Sequence, residues 1–304
     1  MPPRVRLERL LTERPNRASR DLDRLPALRV ARLMNREDQR AVAAVGRVAP
    51  RIAAGVTLIA RALAAGGRLF FVGAGTSGRL GVLEAAECPP TFGTPPRLVQ
   101  AIMAGGRGSV FRSREGAEDD GAAAARVVRA RVRAGDVVVG VSASGVTPFV
   151  RAALETARGR RAATILVSCN PKTGVRVRAD VIIAPAPGPE VLAGSTRLKA
   201  GTATKLVLNT LTTASMARLG KVYGNRMVDL QPRSRKLQER ALRLVMELGR
   251  VPRARARRLL ADGGAVRVAI VMARTGRSAA AAKRALRDVG NFLAPLIDPP
   301  STSR

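Results

Sequence analysis

Two segments combine glycine with hydroxyl side chains directly after short apolar runs. The first is Gly73–Arg79, which follows Phe70–Val72, and the second is Ser142–Pro148, which follows Val137–Val141. At the start of a helix, the backbone N–H groups and hydroxyls of such a loop favour anions. Two phosphate-sized loops in one domain predict a single anionic ligand, and the pattern indicates a phosphorylated small molecule.

Two pairs of glutamates near these loops could perform acid and base catalysis. Glu84 and Glu87 are three residues apart, as are Glu115 and Glu118, so each pair would share one face of a helix. We expect one member of each pair to enter the pocket. The chain has no histidine, so proton transfer falls to carboxylates, lysine or cysteine. A pocket that holds two carboxylates and a phosphate pushes the carboxyl pKa values apart, which provides one acid and one base.

Other side chains near these segments have two interpretations. A helix carrying Glu87 is expected to end before Pro89 and Pro90, which would leave Glu87 at its end. Lys199 and Lys205 either supply charge to a bound phosphate or carboxylate, or cap and solvate the start of a helix, and the sequence leaves both open. Cysteine chemistry is not expected.

Two common nucleotide sites fit the glycine pattern poorly. The first segment satisfies G-x-G-x-x-G, which is typical of dinucleotide sites. Such a site needs an acidic residue about 20 positions later for the ribose, and residues 89–114 contain neither Asp nor Glu. Neither segment ends in the Gly-Lys-Ser/Thr of a nucleoside triphosphate loop.

The strongly basic composition does not predict a specific nucleic-acid partner. The formal net charge is +32, but only six of the 54 basic residues are lysine, and the arginines are spread along predicted helices. Aromatic residues make up 2% of the chain, with one Tyr and no Trp, which leaves few platforms for stacking bases. We expect solvated arginines that bind polyanions weakly at low salt.

Hydropathy and cysteine content indicate a cytoplasmic protein. No apolar run approaches the roughly 18 residues of a membrane span, and the first residues lead into no apolar signal core. Two cysteines without any histidine favour neither a disulfide framework nor a metal site. At 304 residues with 46% apolar content, the chain can bury a full core.

The elements that position these residues form an α/β pattern. Strands alternate with helices from about residue 68 to 222, which predicts a parallel sheet with helices on both faces. The predicted strands are Leu69–Val72, Arg97–Met103, Asp136–Val141, Ala163–Ser168 and Val181–Ala184. We expect a helical arm over 1–56, a domain over 57–225 that binds the phosphorylated ligand, and a small helical domain over 226–304, with Val266–Met272 open between helix and strand.

Several longer motifs, between about residues 8 and 240, resemble the N-acetylmuramic acid 6-phosphate etherase family. They are Thr12-Glu13 with Asn16 and Ser19, Gly73–Gly81, Ala86–Gly93, Glu115–Asp119, Ala143–Gly145, Ser168–Pro171, Gly194–Thr202, Lys205–Asn209 and Gly220–Asn225. The resemblance implies a sugar isomerase (SIS) fold, a homodimer, and no metal or redox cofactor. It also implies cleavage of the lactyl ether of N-acetylmuramic acid 6-phosphate to N-acetylglucosamine 6-phosphate and D-lactate.

The resemblance assigns roles by motif position. Glu87 is expected to be the proton donor and Glu118 the second catalytic glutamate, with Glu118 removing the C2 proton and Glu87 protonating the departing lactate oxygen. Substrate and phosphate contacts are expected from Thr76, Ser77, Gly78, Arg79, Ser142, Ser144, Gly145, Thr147 and Lys199.

The chain departs from the family at one position of the second loop and in its high arginine content, and two alternative functions remain. Val146 stands in the second loop where a charged residue such as Arg is expected, which puts one substrate contact in doubt. A non-catalytic phosphosugar sensor similar to glucokinase regulatory protein would use the same loops, and so would a phosphosugar aldose–ketose isomerase. Because Glu87 and Glu118 are both present, the etherase is favoured.

Overall fold

Five apolar runs pair into one parallel sheet in the order β2-β1-β3-β4-β5. The computed structural model describes residues 10–171, 177–232 and 234–298. All five predicted strands are confirmed within two residues at each end. They are β1 Leu69–Gly73, β2 Val99–Met103, β3 Val137–Val141, β4 Ala163–Val167 and β5 Val181–Ile183.

Helices cover both faces of this sheet, which explains why its strands are apolar throughout. The helices that flank it are α1 Ala27–Arg47, α2 Ala49–Ala64, α3 Gly75–Phe92, α4 Gly121–Arg131, α5 Pro148–Gly159 and α6 Lys199–Arg218. Phe70 and Val72 of β1 pack in one buried cluster with α4 and α5. On the other face α2 comes so close that a Cβ added to Gly55 would lie 2.9 Å from Leu211 and 3.3 Å from Ile183.

The N-terminal region is less helical than expected. Residues 10–26 form three short 3-10 turns, Leu11–Glu13, Arg17–Ser19 and Leu22–Arg24, and the first α-helix begins at Ala27. Proline residues at 15 and 26 lack the N–H that a continuous helix requires. No single helix among the described residues has the length and apolarity to cross a membrane. Helices α1 and α2 reach that length and apolarity only when taken together, and a 62° bend separates them.

The described residues divide into two compact units. The first lies within Met1–Ala86 and Arg97–Thr212, and the second within Glu87–Pro96 and Thr213–Arg304. The sheet belongs to the first unit. The second contains a two-stranded hairpin, β6 Val222–Tyr223 and β7 Arg226–Met227, and helices α7 Arg235–Gly249, α8 Arg253–Gly263, α9 Val266–Thr275, α10 Ala279–Asp288 and α11 Ala294–Ile297. The three-part division expected from the sequence stays a prediction.

The segment Val266–Met272, open between helix and strand in the sequence, is helical. It forms most of α9, and all its residues except Arg267 are buried in the core of the second unit. Side chains of α7, α8 and α10 surround it in that core. A β-branched run buried on nearly all sides by helices forms a helix, because packing outweighs its modest helix propensity.

Candidate active site

The two predicted anion-binding loops begin side by side. Gly73 at the end of β1 pairs in register with Val141 at the end of β3. After β1 the chain continues to β2 on one side of it, and later returns to β3 on the other side. In an open parallel sheet, the crevice outside the carboxyl ends at such a reversal is the usual ligand site. The topology therefore directs both loops toward one crevice.

The first loop is shorter than expected, because α3 begins at Gly75 with only Ala74 between it and β1. A Cβ on Gly73 would lie 2.7 Å from the Gly78 nitrogen, and a Cβ on Gly78 would lie 2.5 Å from the Gly73 oxygen. This close approach needs glycine at both positions. Thr76, Ser77 and Arg79 consequently lie in the first turns of a helix, where backbone N–H groups favour an anion.

The second loop brings its hydroxyl groups together. Ser142 Oγ lies 2.8 Å from Thr147 Oγ1 and 3.3 Å from Ser144 Oγ. The Gly145 N–H donates to Ser142 Oγ at 3.0 Å, and the Val146 N–H donates to Ser144 Oγ at 3.3 Å. Helix α5 begins at Pro148, directly after this cluster. Three hydroxyl groups therefore converge at the start of a helix, an arrangement suited to a phosphate.

A cavity of about 180 Å³ lies beside the first loop. Four charged residues contribute to its lining, namely Arg79, Arg114, Glu115 and Glu118. The rest of its lining is Ala74, Gly75, Met103, Ala104, Ser109, Ser113, Gly116 and Ala117. The structure places Glu118 in the cavity lining beside the β1–α3 junction. We expected one member of the Glu115 and Glu118 pair at the pocket, but both residues line this cavity.

Glu118 is also linked to the second loop through its backbone. Its carbonyl oxygen accepts a hydrogen bond of 2.9 Å from the N–H of Phe149, in the first turn of α5. Its acidic neighbour Asp120 caps α4, because its Oδ1 accepts from the Ala123 N–H at 2.8 Å. Asp120 therefore has a structural role, whereas Glu118 is an exposed residue that lines the cavity.

Arg79, an expected phosphate contact, is engaged with the protein itself. Its Nε donates to the Val110 carbonyl at 2.7 Å, and its Nη2 donates to the Ser109 carbonyl at 2.9 Å and to Ser113 Oγ at 3.3 Å. These bonds hold the segment that leads to Glu118 against the start of α3. Its role toward a substrate stays a prediction.

Of the first glutamate pair, Glu84 is the buried member and Glu87 is exposed. The Glu84 carboxylate accepts hydrogen bonds from Lys205 Nζ and, at 2.7 Å, from Thr212 Oγ1. Lys205 is therefore paired inside the protein. The sequence showed no sign of this pair, because its members are 121 residues apart.

Glu87 belongs to the second unit, and the expectation that its helix stops at the prolines is wrong. Helix α3 continues through Pro89 and Pro90 to Phe92. The prolines lie in its last turn, so only the carbonyls of Ala85 and Ala86 lose a backbone donor, a small disruption compared with a mid-helix proline. Glu87 therefore does not mark a helix end, and its expected catalytic role rests on the family motif.

Lys199 is fully buried and forms an ion pair with Glu37 of α1. The same carboxylate accepts from Asn16 Nδ2 at 2.8 Å, and its other oxygen pairs with Arg40 at 3.0 Å. Burial favours a higher pKa for Glu37, but the hydrogen bonds from Lys199 and Asn16 and the charges of Lys199 and Arg40 hold the pKa below its ordinary value. The expected contact of Lys199 with substrate stays a prediction.

Glu190 joins the same network at the N-terminal end of α6. Its carboxylate accepts hydrogen bonds from the backbone N–H groups of Lys199 and Ala200, at 3.0 and 2.9 Å. Burial raises the pKa of Glu190, although these N–H groups and the Lys199 charge oppose the rise. The start of α6 lies near the first loop, since a Cβ on Gly201 would be 3.8 Å from the Thr76 methyl group.

Two family models match the chain. Residues 51–158 match the glucokinase regulatory protein N-terminal SIS domain, and residues 118–214 match the SIS domain. Among solved structures, a phosphoheptose isomerase from Francisella tularensis aligns with a TM-score of 0.51 at 16% identity, over 64% of this chain and all of its own. The expected SIS fold is confirmed.

Curated relatives match nearly the whole chain. The N-acetylmuramic acid 6-phosphate etherase of Symbiobacterium thermophilum is 51% identical over 88% of this chain and 89% of its own length. The relative of the same name from Synechocystis is 48% identical over 98% of this chain and 99% of its own length. The chain therefore belongs to the N-acetylmuramic acid 6-phosphate etherase family.

Proposed function

We propose that this protein cleaves the D-lactyl ether of N-acetylmuramic acid 6-phosphate and releases N-acetylglucosamine 6-phosphate and D-lactate. One observation carries the proposal for this chain. The segment bearing Glu118 lines a cavity with the start of α3 and is hydrogen-bonded to the start of α5. These contacts of the Glu118 segment with the starts of both helices support a role for Glu118 beside a phosphorylated ligand.

The substrate phosphate binds at the loop between β3 and α5. Ser142, Ser144 and Thr147 offer three converging hydroxyl groups there, and Gly145 adds a backbone N–H close to them. Thr76 and Ser77, with the backbone of Gly78, contact the sugar or its phosphate from the first turn of α3. Val146 contributes no charge at this point. Phosphate binding therefore depends on hydrogen bonds and the helix N-terminus.

The reaction needs one base and one acid. The ether oxygen on C3 is β to the C1 aldehyde of the opened sugar, so removal of the C2 proton by Glu118 gives a carbanion that the aldehyde stabilises. The C3–O bond then breaks as Glu87 donates a proton to the departing oxygen, so D-lactate leaves and an unsaturated sugar aldehyde remains. Water adds at C3, and a proton returns to C2. Each glutamate contributes roughly 10² to 10⁴ in rate.

The assembly and location are proposed with the same activity. We infer a cytoplasmic homodimer from the family. Light scattering after size exclusion measures the mass directly. A monomer of 32.1 kDa at micromolar concentration would contradict the dimer.

The test of function is D-lactate release from N-acetylmuramic acid 6-phosphate by the purified protein, with EDTA present. We expect release in EDTA, and its loss in both Glu87→Gln and Glu118→Gln. Saturable phosphosugar binding without lactate would instead assign the protein to the sensor class. Isomerised substrate without lactate would assign it to the isomerases.

A further inference from the structure

Two arginines line the cavity beside Glu118, and within the described part of the chain only one of their guanidinium groups donates hydrogen bonds. The Arg79 guanidinium donates to two carbonyls and a hydroxyl. Across the described ranges 10–171, 177–232 and 234–298, the Arg114 guanidinium forms no ion pair and donates no hydrogen bond. Arg114, which lines the cavity with Glu115 and Glu118, therefore keeps the hydrogen-bonding capacity of its side chain available.

The Arg114 side chain packs against a glycine, Gly105. Gly105 has a φ of +76°, and a Cβ there would lie 3.3 Å from Arg114 Cδ and 3.2 Å from the Ala117 methyl group. The aliphatic stem of Arg114 therefore packs over the bare Gly105 backbone. The Arg114 carbonyl accepts from the Ala117 N–H at 3.4 Å, in the turn that leads to Glu118. The stem contact and the turn together hold Arg114 in the segment that lines the cavity and carries the proposed base.

We propose that Arg114 binds the lactyl carboxylate of the substrate and thereby selects ethers that carry an acid. The inference rests on the proposed function. The planar guanidinium fork matches a carboxylate, and charged bonds of this kind are stronger than neutral ones. The substrate has two anionic groups, and the hydroxyl loop between β3 and α5 accounts for the phosphate.

The position of the carboxylate in the substrate favours Arg114 over the hydroxyl loop. The carboxylate hangs from the ether oxygen on C3, beside the C2 proton that Glu118 removes, whereas the phosphate lies at C6. A cation four residues before Glu118 and in the same cavity is therefore placed for the lactyl group.

The experiment compares two ethers of N-acetylglucosamine 6-phosphate, the natural 3-O-lactyl ether and a 3-O-ethyl ether that lacks only the carboxylate. The common product, N-acetylglucosamine 6-phosphate, is measured for wild type, Arg114→Gln and Arg112→Gln. Arg112 is exposed in the same segment and lies outside the cavity lining, so it is the matched control.

We expect Arg114→Gln to lower kcat/KM for the lactyl ether by roughly 10- to 100-fold and to leave the ethyl ether unchanged. Arg112→Gln should change neither. Unchanged activity toward the ethyl ether also shows that the variant is folded.

Equal losses on both ethers, or no loss on the lactyl ether, would overturn the role of Arg114 while leaving the etherase activity standing. A wild-type protein that forms no product from the lactyl ether would overturn the proposed function, and this inference with it. The wild-type result alone therefore separates the two failures.

Discussion

The N–H of Phe149 donates to the carbonyl oxygen of Glu118 at 2.9 Å, which ties the first turn of α5 to the segment that carries the proposed base. Phe149 is almost completely buried in the cluster that β1 forms with α4 and α5, so its backbone is held in place. The bond couples the cavity wall to the helix whose start presents the second loop. The position of Glu118 thus depends on a core residue 31 positions later.

Glu118→Gln should reduce kcat for lactate release by roughly 10² to 10⁴ while leaving the melting temperature unchanged. The Glu118 side chain is exposed and its structural bond uses the backbone, so the substitution removes the base without disturbing that bond. Steady-state kinetics and thermal unfolding measure the two quantities.

The control for this variant is Asp119→Asn, an exposed neighbour outside the cavity lining. It should retain wild-type kinetics. Wild-type kcat in Glu118→Gln would show that another group removes the C2 proton.

Ser144→Ala should raise KM more than it lowers kcat. A phosphate bond that is present in both the ground and the transition state contributes uniform binding, which appears in KM. The Ser142–Thr147 contact does not use Ser144 Oγ, so the loop should keep much of its shape. A loss confined to kcat would contradict a phosphate-binding role for Ser144.

Lys199→Met should lower the free energy of unfolding by about 3 kcal/mol, because it leaves the buried Glu37 carboxylate without its ammonium partner. Urea titration measures this change. Lys236→Met, an exposed lysine on α7, should stay within about 0.5 kcal/mol of wild type. The double variant Glu37→Gln with Lys199→Met should recover part of the loss. Full stability in Lys199→Met would show that the pair contributes little.

The pH dependence of stability should carry the signature of Glu37. Its pKa is lower in the folded protein than its ordinary value of 4.5, so the folded state binds that proton less tightly than the unfolded chain does. The stabilising contribution is therefore complete above about pH 4.5 and declines as the pH falls toward the folded-state pKa. The raised pKa of Glu190 acts in the opposite direction, so the comparison must isolate Glu37.

Unfolding of wild type and Glu37→Gln at several pH values provides that comparison. The stability difference between them should shrink as the pH falls below 4.5. A difference that stays constant across this range would contradict the lowered pKa.

Cys169 should be unreactive in the native protein. Burial raises the pKa of its thiol to about 12, with the charge of Glu190 acting in the same direction and a hydrogen bond with Thr204 opposing it. Little thiolate exists at pH 8, and solvent does not reach it. Iodoacetamide should modify Cys169 only after denaturation, as peptide mass spectrometry can measure. Rapid modification of the native protein would contradict the buried position.

The strands and the two loops could be predicted from the sequence because their causes are local. Short β-branched runs followed by glycine and hydroxyl residues specify a strand and a turn through nearby steric effects and hydrogen bonds. The alternation with helices is enough to predict a parallel sheet, and the motif around Glu118 indicates a candidate catalytic residue. Local cues failed at Pro89 and Pro90, where the helix continues.

What the sequence by itself determined is thus the strand pattern, the two loops at strand ends, and the family motifs with their glutamates. Only the tertiary structure decided the partners of the charged groups, such as Lys199 with Glu37, which lie 162 residues apart. It also decided that the Arg79 guanidinium donates to backbone carbonyls, whereas Arg114 lines the cavity. The physical reason is that a charge removed from water must be paired by whichever group the fold brings near, and spacing along the chain does not encode that distance.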